Sequence, residues 1–184
     1  MTPPFHRLLA FYSNRSEHPN TQTIRLVDSL RGNLALGLDF PVALAIALGR
    51  HLWLRNTGTF SLAIHVPSVS TTKTLLDGIP IDEKKSYTRA EIVTAARPNG
   101  AVGQLDAFGL WALASDVQTG LMQGEDIVSF QKGTLLQTLE RRRRDNREQV
   151  LPFWRGGPIS VVGHSWAVQK VFGVDVYRTD LKDD

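Results

Sequence analysis

The chain has 184 residues, 42% of them apolar and 21% charged, which is enough to bury one sizeable core and excludes general disorder. It has no cysteine, so disulfides, thiolate metal sites and cysteine nucleophiles are excluded. Net charge is +3, and arginine outnumbers lysine 15 to 6, a bias toward the planar fork that suits phosphates and carboxylates.

Residues 1–20 carry Pro3, Pro4 and Pro19 around the short apolar patch "RLLAFY", which reads as an N-terminal arm with one docking segment. No charged region followed by an apolar stretch marks a secretory leader. In 22–31, Ile24, Val27 and Leu30 recur at three-residue steps and predict a helix ended by Gly32-Asn33. Asp39 is a good N-cap, and Pro41 suits a first helical turn. Over 41–55, Val42, Leu44, Ile46 and Leu48 alternate with alanines and leave no polar face for two turns. That predicts a helix buried on all sides. The apolar run from Pro41 to Leu48 falls far short of the roughly 20 residues of a membrane span.

Residues 59–66, "TFSLAIHV", are β-branched and aromatic and predict a strand; 68–87 read as loop. Thr88 with Glu91 three residues later is a capping box and predicts a short helix before Pro98. From 103 to 122, Leu110, Leu113, Val117 and Leu121 form one stripe, while Leu105, Phe108 and Trp111 start another. A helix apolar on two sides predicts a second interior element. Residues 126–130 suggest a short strand, 134–151 a helix, and 159–168 and 171–178 two closing strands. The expectation is a single α+β domain over 21–184, with two largely buried helices, a small, mostly antiparallel sheet built partly from the C-terminal strands, and a solvated Arg-rich helix around 134–151.

"VVGHSWAV" at 161–168 has the small-x-Ser-x-small look of a hydrolase nucleophile turn. In that architecture an acid and then a histidine follow the serine. Only 19 residues follow Ser165, and none is histidine. Parity offers the simpler account, with Val162, Trp166 and Val168 on one strand face and Ser165 on the thinly covered other. Among His6, His18, His51, His65 and His164 no i, i+4 pair or H-E-x-x-H context occurs. No phosphate-cradling glycine loop occurs either. No catalytic residue, metal site or cofactor is therefore assigned.

One cluster carries a signal: "LERRRRDNREQ" at 139–149. Helical residues step by about 100°, so Arg141, Arg142, Arg143 and Arg144 cannot share one face. Arg141 can pair with Asp145, and Arg144 with Glu140 or Glu148. Arg142, Arg143 and Arg147 have no evident acidic partner at the best spacing, four residues apart, which predicts guanidinium groups projecting outward toward an anion. Trp154 and Arg155 follow and would add stacking to charge. The stretch from Arg50 to Arg55, which interleaves base and aromatic, reads as the end of a core helix.

The leading expectation is a small, non-enzymatic, intracellular protein that binds a polyanion, RNA or DNA, as a structural component of a larger viral or mobile-element assembly. The polyanion site is expected at Arg141, Arg142, Arg143, Arg144, Arg147, Trp154 and Arg155. The alternatives are a protein-binding assembly or adaptor subunit or a membrane-surface matrix subunit using the same arginine helix, and a hydrolase assembled from His51, His65 and Ser165. The expected partners are nucleic acid or another acidic surface, with a homo-oligomer or larger complex as the expected arrangement.

Overall fold

A computed structural model describes residues 2–15, 22–55 and 62–177. It opens on helix α1 (Pro4–Ser13), and the docking segment expected in the arm is thus a full helix. Its Leu8, Leu9, Phe11 and Tyr12 are buried in the larger of two apolar clusters. Strand β1 (Thr23–Ile24) leads into α2 (Leu26–Ala35), which runs past the expected stop at Gly32-Asn33. Gly32 is there for contact, because a Cβ at that position would lie 2.4 Å from the Tyr12 ring.

Helix α3 (Phe40–Leu54) starts as expected, on the Asp39 carboxylate, which accepts from the Phe40 N–H. Strand β2 (Ile64–His65) pairs antiparallel with β1. The predicted strand over 59–66 is thereby reduced to two described residues, and 59–61 lie outside the described ones. Strand β3 (Ser86–Tyr87) precedes α4 (Arg89–Ala95). The capping box forms as read, with the Thr88 side chain accepting from Glu91 N–H and Glu91 accepting from Thr88 N–H.

Helix α5 (Gly100–Ala114) is shorter than the predicted 103–122. It stops because the Asp116 carboxylate collects the backbone N–H groups of Gln118 and Thr119, and Gly120 turns left-handed with φ 70°. Strand β4 (Met122–Gln123) then pairs antiparallel with β3. Where a strand was predicted at 126–130 stands helix α6 (Gly124–Gln131), with Glu125 and Asp126 in its first turn, where acids favour a helix. Helix α7 (Leu135–Asp145) ends earlier than 151, followed by a 3-10 turn over Arg147–Gln149.

The largest correction is at the C-terminal end. Residues 161–172 form helix α8 (Val161–Phe172) in place of the predicted strand 159–168 and the start of the next, so among the described residues no C-terminal strand enters either sheet; residue 178 of the second predicted strand lies outside them. Ser160 caps it by accepting from Gly163 N–H, and Gly173 closes it in the left-handed conformation at φ 65°. The buried His164, Ser165 and Val168 follow the period of a helix, not the alternation of a strand.

The architecture is α+β, a single compact domain that is mostly helical with two small two-stranded antiparallel sheets. The larger cluster gathers α1, α4 to α7 and both sheets; the smaller gathers α2, α3, α8 and the tail Val174 to Tyr177. Leu113 packs against both. Among the described residues no helix is long and apolar enough to cross a membrane.

Candidate functional site

The arginine run does not build the expected outward ridge. Arg142 holds Asp126 with both terminal nitrogens, each at 2.9 Å, and also reaches the Ala114 carbonyl at 3.5 Å. Asp126 lies on α6, sixteen residues away, so helical spacing within α7 could not reveal this pairing. Arg143 is 1% exposed and donates to the carbonyls of Leu113 and Gln149. Burial lowers its pKa to about 10, and the Tyr177 hydroxyl beside it is raised to about 12, chiefly by its own burial. Arg155 is buried too, donating to Ser115 Oγ at 2.9 Å and to the Ser115 and Asp116 carbonyls at 3.3 Å. Its guanidinium lies over both the Trp111 and the Trp154 ring, with centroids 4.7 and 4.6 Å away, and the two rings also contact each other at 6.5 Å.

Three of the seven expected site residues thus converge on one place. Arg142 and Arg143 cover the Ala114 and Leu113 carbonyls, among the last of α5, which an α-helix leaves unsatisfied, and Arg155 covers those of Ser115 and Asp116 just past its end. Cations also suit the negative end of that helix. Of the rest, Arg141 and Arg147 are exposed, and Arg144 lies 3.7 Å from Glu140. Trp154 is exposed, with one face taken by Arg155.

The residues of the hydrolase alternative are not brought together. Ser165 is buried on the inner face of α8, and its hydroxyl has no hydrogen-bond partner among the described residues. His65 sits on β2 opposite Thr23. His51 is fully buried, and both its ring nitrogens are engaged: Nδ1 with the Leu62 carbonyl, and Nε2 with Ser29 Oγ at 2.8 Å. A carbonyl only accepts, so Nδ1 carries the proton and Nε2 accepts from the serine. Burial lowers the His51 pKa, keeping the ring neutral. His164 is likewise lowered by burial, against the pull of Asp39 at 3.3 Å.

Helices α3 and α5 correct a second expectation. Neither is buried all round; each buries one face and turns an apolar face outward. On α3 the inner face is Ala43, Ala47 and His51. The outer one is Val42, Ala45, Ile46, Gly49, Leu52 and Trp53, with Leu52 60% and Trp53 79% exposed. On α5 the inner face is Gly103, Ala107, Leu110, Trp111 and Ala114. Outward lie Ala101, Val102, Leu105, Phe108, Gly109 and Ala112, with Leu105 70% exposed. Both outer sets follow steps of three and four and contain no charged residue; Asp106 stands at the border of the second.

The stripes meet at a groove of about 510 Å³ only through Val42 on α3 and Phe108 and Ala112 on α5, and Asp39, Pro41 and Arg155 line it as well. Phe153 and Trp154 of a 3-10 turn, both about two-thirds exposed, complete its walls. A smaller cleft of about 230 Å³, lined by Asp116, Asp126, Arg142 and Gln149, is polar, and those side chains bond mainly to one another. The groove and stripes are what the sequence reading missed. The signal was present in the apolar period, but burial on all sides and exposure on one side leave the same trace in a sequence.

No family model, curated protein or solved structure matches this chain.

Proposed function

We propose that this protein is a non-enzymatic assembly subunit that binds another protein through the apolar faces of α3 and α5 and the aromatic turn between their ends. One observation carries the reading: two fifteen-residue helices turn uncharged apolar stripes to solvent, and Val42, Phe108 and Ala112 of those stripes line one groove together with Phe153 and Trp154. Folded proteins rarely leave a contiguous apolar patch of more than a few hundred Å² without a partner. Aromatic anchors in such a patch are typical of binding hot spots.

Site-specific photocrosslinking tests it, with a photoreactive residue placed in turn at Leu52, Leu105 and Trp154 and, as control, at the exposed Lys84. Intermolecular protein adducts are expected from the first three positions and not from the fourth. Adducts only within the chain, or none, would show that the face is covered by the protein's own residues and would end the proposal.

Polyanion binding stands as a second reading, favoured by the exposure of Arg141 and Arg147 at the end of α7 and by the net charge of +3. It predicts filter binding to RNA or DNA that weakens steeply with salt. Replacing Arg141, Arg144 and Arg147 with glutamine should flatten that slope, and absence of binding at low salt would remove this reading.

A further inference from the structure

We propose that the partner covering the α3 and α5 stripes is a second copy of this chain, so that the protein is a symmetric dimer with helices packed against helices across the groove. This rests on the protein-binding reading above and names its partner.

Relief and area point to a second copy, and charge permits one. The stripes are not smooth. On α3, Ala45 and Gly49 are hollows beside the bulky Ile46, Leu52 and Trp53; on α5, Gly109 and Ala112 are hollows beside Leu105 and Phe108. Gly49 and Gly109 face open space, with no atom within 4 Å of where a Cβ would stand. Bulky residues alternating with hollows at steps of three and four match a facing helix, whose side chains enter such holes. A lipid surface has no use for the hollows.

The area fits as well. At the roughly 150–250 Å² of an aromatic side chain, the exposed parts of Trp53, Phe108, Phe153 and Trp154 amount to on the order of 500 Å². Ile46, Leu52, Val102 and Leu105 extend this toward the roughly 800 Å² per partner of a stable interface. Charge is compatible with a self-partner. Across a two-fold axis a patch meets itself, so a patch of one sign would repel its own copy. The stripes carry no charge, Asp106 stands at the edge, and the charged groups lining the groove, Asp39 and Arg155, are opposite in sign.

Sedimentation velocity from low to high micromolar concentration tests the proposal on the full chain. The expected mass is twice 20.4 kDa. Gly49→Leu and Gly109→Leu are the informative variants. Each fills a hollow that is empty in one copy and raises helix propensity, so the folded monomer keeps its circular dichroism. Each also blocks the facing helix and should weaken dimerisation about 10- to 100-fold. Leu105→Asp should abolish the dimer.

A monomer at every concentration would overturn the second copy, as would a dimer whose affinity is unchanged in all three variants. A monomer that crosslinks to a different protein from positions 52, 105 and 154 would retain the assembly function and reject the self-partner. A monomer that instead co-floats with phosphatidylcholine vesicles would reject both in favour of a lipid surface.

Discussion

Arg143 shows how one residue's environment overrides its sequence context. In a run of four arginines it reads as solvated, yet it is the largest fully buried side chain among the described residues. It ties the end of α5 to the turn after α7. Arg143→Met would keep most of the volume but leave the Leu113 and Gln149 carbonyls unpaired. A loss of about 2–3 kcal/mol is expected in urea unfolding. Arg141→Met, at the exposed neighbour, should stay within about 0.5 kcal/mol. His51 gives a pH dependence. Its folded pKa is depressed by burial below the ordinary 6.5, so the unfolded chain takes up a proton first as pH falls. The stability it contributes is complete above about pH 6.5 and drains away below that, down to its folded pKa; His164 acts in the same direction. Thermal unfolding between pH 7.5 and 5 should show a falling midpoint. His51→Gln should make that fall shallower, and a slope unaltered in the variant would mean that another group titrates.

At the scale of the element, α8 is the instructive case. Val162, Trp166 and Val168 share the parity of a strand, but Val161, His164, Ser165, Val168 and Phe172 share one face of a helix, and this is the face that packs. The decision rests on the two ends. Ser160→Ala should cost about 1 kcal/mol through loss of the N-cap, and Gly173→Ala about 1–2 kcal/mol through its left-handed backbone. Nothing crowds Gly173, so a destabilisation there reports conformation alone. Urea unfolding followed by circular dichroism checks both, and a neutral Gly173→Ala would refute the cap. Helices α3 and α5 carry the same ambiguity in another form. Their uninterrupted apolar composition is compatible with an interior position or with an interface, and only the packing of one face distinguishes them.

For the whole molecule, the proposed dimer would make stability depend on association. If the outer stripes are covered by a second copy, the thermal midpoint rises with protein concentration, because dissociation accompanies unfolding. The Leu105→Asp protein should unfold at a midpoint independent of concentration. Persistence of the concentration dependence in that variant would place the interface elsewhere on the surface. The basic charge acts separately. Arg142, Arg143 and Arg155 are committed to partners within the domain, whereas Arg141 and Arg147 are exposed.

The α+β class, the start of α3 at Asp39 and the capping box at Thr88 and Glu91 were all readable from residue order, because each rests on groups a few positions apart. Tertiary structure alone decided what lies opposite the arginines, which turned a presumed anion-binding ridge into a brace for the end of α5. It also decided which face of each apolar helix is covered. Both depend on groups far apart in the chain: Arg155 meets Ser115 forty residues away, and Arg142 meets Asp126 on another helix. Local periodicity records that a side chain is apolar or charged, but its partner is set by how the helices pack.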